Sequence, residues 1–375
     1  MKNVLLYGGT GLVGAHLSAL LYKRAETERI FLLTESADGS RTEARRFRDF
    51  LCPHDTKIEF LEGNARLPRF GLPAEAWEKL CTVVDTAFCC FDRPHSIRDI
   101  NGARQSDLEL LENWLSLLRA NQRLRLCYLS TAFVAGRRRG LFTECDLDCG
   151  QKFNNPWEQL MFDAECRLRD SPDSERITIF RPSHVIGDSQ NGFAFVLTGF
   201  YAVLRHLREG KPKIIIGDAL TRVDVVPVEY VANAMVELGG CAETNAKTFH
   251  LVAGWQKSTP SKEFVRMVTA SAGRKWRSPF MMPPVIAAVS HGIGTITLGI
   301  LGQSSGELSS YRNCLSQPTI FDGYCANAAL EKRGISCPTL GSYMGRVLQF
   351  AEECKWQPED GNCLTIRADP LFDNL

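Results

Sequence analysis

Three glycines at three-residue spacing, Gly8, Gly11 and Gly14, are the first residues in the chain whose arrangement could do chemistry. They stand in NVLLYGGTGLVGAHLSALLYK, between an apolar run and an amphipathic stretch. A glycine at the first position permits a tight turn. At the second it lets backbone approach a diphosphate with no Cβ in the way, and at the third it lets a helix pack close to a sheet. The amides freed at the helix start then meet the diphosphate's charge. Gly8, Thr10, Gly11, Leu12, Val13 and Gly14 are therefore the expected cradle of a dinucleotide. Glu35 follows the second apolar run, 21 residues after Gly14. A carboxylate there accepts ribose hydroxyls and repels a 2′-phosphate, which favours NAD(H). Arg41, Arg45 and Arg46 come next and could bind that phosphate instead, so NADP(H) stays open.

Other groups are less well placed. The chain has 14 cysteines but no CxxC; the nearest pairs are Cys89–Cys90 and Cys145–Cys149, so no metal site is expected. Reduced thiols in a cytoplasmic protein are the expectation, and with the Gly-rich signature starting at residue 3 no secretory leader is expected. A formal net charge of +1 gives no reason to expect nucleic acid or an acidic membrane as partner. The run VIAAVSHGIGTITLGILG (285–302) is short and polar for a membrane span and reads as a buried or substrate-covering helix.

The elements that would hold these residues alternate. Val4–Tyr7, Ile30–Leu33, Ile58–Leu61, Val83–Cys90, Leu124–Leu129 and Ile177–Phe180 read as strands, with Lys213–Ile216 and Phe249–Val252 as later ones. Between them Ala15–Arg24 and Asp107–Ala120 read as helices, the second with Leu108, Leu111, Leu115 and Leu118 on one face. Strand–helix alternation requires parallel pairing through right-handed crossovers. The expected fold is α/β, a Rossmann-type doubly wound parallel sheet over 1–190 completed by about 223–255. A smaller, mainly helical substrate part would take 191–222 and 256–375.

Several segments together resemble the extended short-chain dehydrogenase/reductases, in the branch of the thioester reductases and fatty acyl-CoA reductases. They are YGGTGLVG, LSTAFVAG (129–136), RPSHVIGDSQNG (181–192), VDVVPVEYVANAMV (223–236) and FDGYCANAALEKRGI (321–335). The resemblance implies that Thr131 orients the substrate oxygen, that Arg181 and Pro182 lie beside the nicotinamide and that Asn64 lies near the adenine. It also implies a Tyr and, four residues later, a Lys on one helix to move the proton. The matching segment FNNPWEQLMFDAE carries Trp157 and Met161 there. An indole donates but is far too weak an acid, and a thioether has no proton to give. Cys89, Phe91 and Asp92 depart from the family's pattern along the cofactor in the same way.

If a replacement acid exists, His184 is the first candidate, since imidazole titrates near neutrality; Cys127, Cys145 and Cys149 are weaker ones. FAFVLTGFYAVL (193–204), PFMMPP and 285–302 read as walls of an apolar pocket. The expected activity is an atypical NAD(P)H-dependent oxidoreductase acting on a hydrophobic small-molecule carbonyl or an acyl thioester in lipid or secondary metabolism. Two other readings stay open: a dinucleotide-binding regulator or scaffold, and a non-redox enzyme on the same fold.

Overall fold

The computed structural model of the chain describes residues 1–35, 57–91, 97, 99–209, 214–216, 221–270, 280–282 and 314–356. Seven strands make one sheet: β1 (Asn3–Tyr7), β2 (Arg29–Thr34), β3 (Ile58–Glu62), β4 (Thr86–Cys89), β5 (Arg125–Leu129), β6 (Ile177–Pro182) and β7 (Thr248–Leu251). All neighbours are parallel, in the order β7-β6-β5-β4-β1-β2-β3. The chain therefore builds outward from β1 to β3, returns, and builds the other way from β4. The gap between β1 and β4 is the switch point, where an open α/β sheet leaves a crevice at its carboxyl ends.

Both faces of the sheet are covered, which is why its strands read as unbroken apolar runs and not as alternating ones. Val4 and Leu6 of β1 face a core shared with α1 (Leu12–Lys23), while Leu5 and Tyr7 face the opposite core. That second core holds Trp77 and Leu80 of α2 (Ala74–Val83), and Leu111, Trp114, Leu115 and Leu118 of α3 (Ile100–Ala120). Ala164 and Leu168 of α4 (Pro156–Arg169) complete it. The buried face of α3 is centred on Trp114, so Leu108 falls at its margin and is only half-buried. The helix also begins earlier than its leucine spacing implies, because Asp99 caps it and accepts the Asn101 and Gly102 N–H groups at 3.0 and 3.1 Å.

Beyond the sheet the chain adds α5 (Tyr201–Arg208), α6 (Val228–Gly239), α7 (Ser261–Ala270), α8 (Tyr324–Glu331) and α9 (Met344–Glu353). Their apolar faces join the α1 core, and α6 packs directly on α1. Short ladders pin this outer part to the sheet: His184–Ile186 pairs with Val225–Pro227, and Gly140–Phe142 with Thr319–Phe321. Residues 285–302, Asp92 and the arginines at 41, 45 and 46 lie outside the described residues. Among those described, no helix is long and apolar enough to cross a membrane. The expectation of thiols throughout fails at Cys354, which is disulfide-bonded. Every other described cysteine is free.

Candidate active site

The Gly-rich turn closes as its spacing implies. Gly8 has φ 77°, and a Cβ there would lie 2.2 Å from the Cys90 carbonyl oxygen. At Gly14 a Cβ would lie 2.0 Å from the Gly8 oxygen, so only a bare backbone lets α1 start this close to β1. At Gly11 it would meet nothing nearer than the Gly8 oxygen at 3.4 Å, leaving that side open to a ligand. Gly11 caps α1, with no side chain bonded to the helix end and no acid in its first turn. Uncapped amides at the positive end of a 12-residue helix suit a diphosphate.

Two cavities meet at this turn. One, of about 1030 Å³, runs over Tyr7 to Gly11 and Leu32 to Glu35, and takes in Thr10. The other, of about 1140 Å³, runs past Leu12, Val13 and Gly14 to Thr131, Trp157 and His184. They share Gly11, Cys90, Phe91 and Thr198, so they form one cleft with the turn at its middle, as a dinucleotide requires. Phe91 does not fill it. Its ring stacks on Tyr7 (centroids 5.7 Å apart, 11° between planes) and makes a wall.

Glu35 lies in the first arm of the cleft, where it is already engaged. Its Oε1 accepts the Tyr7 hydroxyl at 2.6 Å and the Arg66 guanidinium at 2.6 Å. Arg66 also donates to Ser106 Oγ at 2.6 Å and sits 5.0 Å over the Phe91 ring. Asn64 does not line the cleft. Its Oδ1 accepts the Arg66 N–H at 2.9 Å and so shapes the turn that delivers Arg66 to Glu35. Sequence reasoning missed Tyr7 and Arg66, which no motif marks.

At the other end Thr131 caps a single turn, Ala132–Ala135. Its Oγ1 accepts the Phe133 N–H at 3.2 Å and donates to the Pro182 carbonyl at 3.5 Å, a long bond that a better acceptor in the cleft could replace. Trp157 and Met161 line the same cavity one helical turn apart. His184 is gripped between the rings of Phe133 (4.3 Å) and Phe200 (4.0 Å, 13° between planes), so it forms part of an aromatic wall. Of the apolar run 193–204, Val196, Thr198, Gly199 and Phe200 reach the cleft, whereas Phe193 and Phe195 lie in the core. Cys127, Cys145 and Cys149 do not line it, and burial pushes the Cys127 thiol up to about 12.

Arg181 corrects an expectation. Pro182 lines the cleft, but the Arg181 guanidinium is fully buried behind it. It pairs with Glu165 through Nε (2.9 Å to Oε1) and Nη2 (2.6 Å to Oε2). Its Nη1 donates to the Asp146 carbonyl at 2.9 Å and meets His250 Nε2 at 3.1 Å. The Ser130 hydroxyl donates to the same Glu165 carboxylate. The strand end that carries Pro182 alternates direction, so Arg181 necessarily points to the other face.

One further acidic residue lines the cavity. Glu158, next to Trp157, is buried, and desolvation raises its carboxyl pKa to about 7 against the opposing pull of Asn154, Arg137 and Asn155. It accepts the Asn154 N–H at 2.8 Å, the Asn154 side-chain amide at 3.1 Å and the Asn155 amide at 3.2 Å. Asn155 Oδ1 in turn accepts the Glu158 N–H at 2.9 Å. This reciprocal cap, Asn followed three residues on by Glu, is a sequence signature of a helix start. It marks where α4 begins and says nothing about what its acid faces.

Residues 6–235, more than half of the chain, match the family described as male sterility protein. Over 266 residues the chain is 25% identical to a non-reducing polyketide synthase of Aspergillus terreus, covering 63% of this chain and 10% of that protein. Over 344 residues it is 23% identical to a putative fatty acyl-CoA reductase of Drosophila melanogaster, covering 76% and 61% respectively. The chain thus spans less than two thirds of either relative. Its fold is similar to the terminal R domain from the myxalamid PKS-NRPS biosynthetic pathway, with TM-score 0.76, 21% identity and coverage of 95% and 92%. It is also similar to the reductase domain of a non-ribosomal peptide synthetase from Mycobacterium tuberculosis, with TM-score 0.66, 17% identity and coverage of 95% and 92%.

Proposed function

Because the chain belongs to the male sterility protein family, on the thioester-reductase-like branch of the extended short-chain dehydrogenase/reductases, we propose that it reduces a hydrophobic acyl thioester or related carbonyl of lipid or secondary metabolism. The family binds a nicotinamide dinucleotide and consists of reductases. One observation carries the reading for this chain: a single cleft joins an uncapped, glycine-lined helix start to a pocket of Leu129, Phe133, Trp157, Met161 and Phe200 around Thr131. When bound, the dinucleotide supplies a hydride. Gly8 to Gly14 would hold its diphosphate, Glu35 its adenosine ribose, and Pro182 would border its nicotinamide end. Thr131 would orient the substrate oxygen, and the apolar walls would exclude water and take an acyl chain.

The cofactor we assign is NAD(H). A 2′-phosphate would meet the Glu35 carboxylate, and the one described guanidinium paired with that acid, Arg66, is held by it. Glu35→Gln removes the repulsion and releases Arg66 to a phosphate. We expect the NADPH-to-NADH affinity ratio to rise by about tenfold or more, worth ~1.4 kcal/mol, in a fluorescence titration with each dinucleotide. An unchanged ratio would place cofactor choice elsewhere.

The activity itself is tested by following NADH oxidation at saturating long-chain acyl-CoA, aldehyde and ketone. The expected result is turnover on the thioesters, with KM falling as the acyl chain lengthens. The loss of both proton-relay residues at Trp157 and Met161 favours one rival reading, a dinucleotide-binding regulator. Tight NADH binding with no turnover on any of these substrates would decide for it.

A further inference from the structure

We propose that Glu158 is the proton carrier of this cleft, donating to the substrate oxygen and recovering the proton afterwards in place of a tyrosine. The inference rests on the reductase reading above. Its starting point is placement: Glu158 adjoins the position where the family resemblance puts the tyrosine, and it lines the same cavity as Thr131, Trp157, Met161 and His184. It is the one acidic side chain among the described residues of that cavity wall. Four N–H contacts from Asn154 and Asn155 fix its orientation, so no ordering is needed when a substrate arrives.

The chemistry suits the surroundings. A tyrosine hydroxyl ionises far above neutrality and needs a neighbouring cation to bring it down, and Met161 supplies none. A carboxylic acid starts below neutrality and needs only burial to bring it up, which an apolar pocket provides unaided. The Glu158 carboxyl, raised to about 7 chiefly by desolvation, is matched to acid–base work at neutral pH. The charged or titratable groups around it are Arg137, from the segment after Thr131, and, lining the same cavity, His184 and the thiols Cys90 and Cys314, both pushed up by burial and so neutral; the two asparagines and apolar walls complete its surroundings.

As the thioester carbon gains a hydride from the reduced dinucleotide, the carbonyl π pair moves to oxygen and the Glu158 O–H bond breaks to protonate it. The product is a hemithioacetal. The Glu158 carboxylate then takes that hydroxyl proton back while the C–S bond breaks. The thiolate leaves with the bond pair, takes a proton from solvent, and an aldehyde remains. Glu158 ends as it began.

Two readouts on the whole 375-residue chain test this. The first needs no turnover: the side-chain carboxyls are labelled with carbon-13 and titrated in wild type and in Glu158→Gln, which keeps an amide oxygen for the Asn154 N–H. Burial raises Glu229 to about 7 as well, so two resonances titrating there are expected in wild type and one of them, that of Glu158, is missing from the variant; a Glu158 resonance titrating in the ordinary range near 4 would overturn the proposal. The second is kinetic. Wild-type kcat/KM should fall as pH rises through about 7, because the protonated form is the donor. Glu158→Gln should lose about 10²- to 10⁴-fold in kcat with a flat profile and unchanged NADH affinity. Glu158→Asp should keep the pH dependence at a lower rate, and His184→Gln should keep it too. A Glu158→Gln protein with wild-type rate and profile refutes the assignment. A Glu158 resonance titrating at neutrality, identified by its loss in Glu158→Gln, in a protein that reduces none of the substrates would leave the cavity acid standing and overturn the reductase reading instead.

Discussion

Arg181→Ala is expected to cost about 3–5 kcal/mol of stability, because it strips the buried Glu165 carboxylate of its two-armed partner and leaves only the long Arg169 contact, at 3.8 Å, to balance its charge. Both side chains are fully buried, and their bonds to Ser130, Asp146 and His250 tie β6 and α4 to the end of β5, the loop after Phe142 and β7. Glu165→Ala should cost a similar amount for the converse reason. The double variant Arg181→Met with Glu165→Leu should cost clearly less than the two singles added, since apolar partners need no charge compensation. Urea unfolding followed by circular dichroism reads all three. If Arg181→Ala loses less than ~1 kcal/mol, the pair is not holding the sheet as its geometry implies. The same variant should also lower turnover by displacing Pro182 and Thr131, which sit on the cleft side of these strands.

The second large effect separates two glycines that look alike in sequence. Gly14→Ala puts a methyl group 2.0 Å from the Gly8 carbonyl oxygen and 2.9 Å from the Gly9 Cα, and none of this is flexible side chain. The helix must move away from β1, so we expect ~1–3 kcal/mol of destabilisation together with a loss of NADH affinity of about 100-fold, ~2.7 kcal/mol. Gly11 sits at φ −76°, a conformation any residue adopts, and its added methyl meets only one atom, at 3.4 Å. Gly11→Ala should therefore fold as well as wild type and still bind NADH poorly, because the methyl occupies the diphosphate's side of the turn. Tryptophan-monitored unfolding and isothermal titration separate the two outcomes. Equal NADH binding by Gly11→Ala and wild type would remove the turn from the binding site.

Much of this architecture was legible beforehand, because it is written in local patterns. The apolar runs that both faces of a parallel sheet demand, and the three glycines between strand and helix, marked β1, α1 and the cleft beside them. Trp157 and Met161 were equally plain as absences within a recognisable segment. What sequence reasoning misplaced depends on the direction of single side chains. Arg181 and Pro182 are neighbours that face opposite ways, so one motif divides into an interior ion pair and a cleft wall. Asn64 and Arg66 lie two residues apart, and only the folded turn shows that the first serves the second. Glu35 meets Arg66 and Tyr7 from separate strands and loops, a meeting that no spacing rule encodes. Glu158 was hidden behind its more conspicuous neighbour: a capping acid and a cavity acid look identical until the helix has a position.

Trp157 has an optical consequence. Among the described residues it is the one tryptophan lining the cleft, and indole emits in the band where dihydronicotinamide absorbs. Where a tyrosine in that place would move protons almost in the dark, this chain carries its own lamp beside the pocket. Each arrival or departure of the reduced nucleotide should dim or restore that lamp, so occupancy can be followed in real time without any added dye.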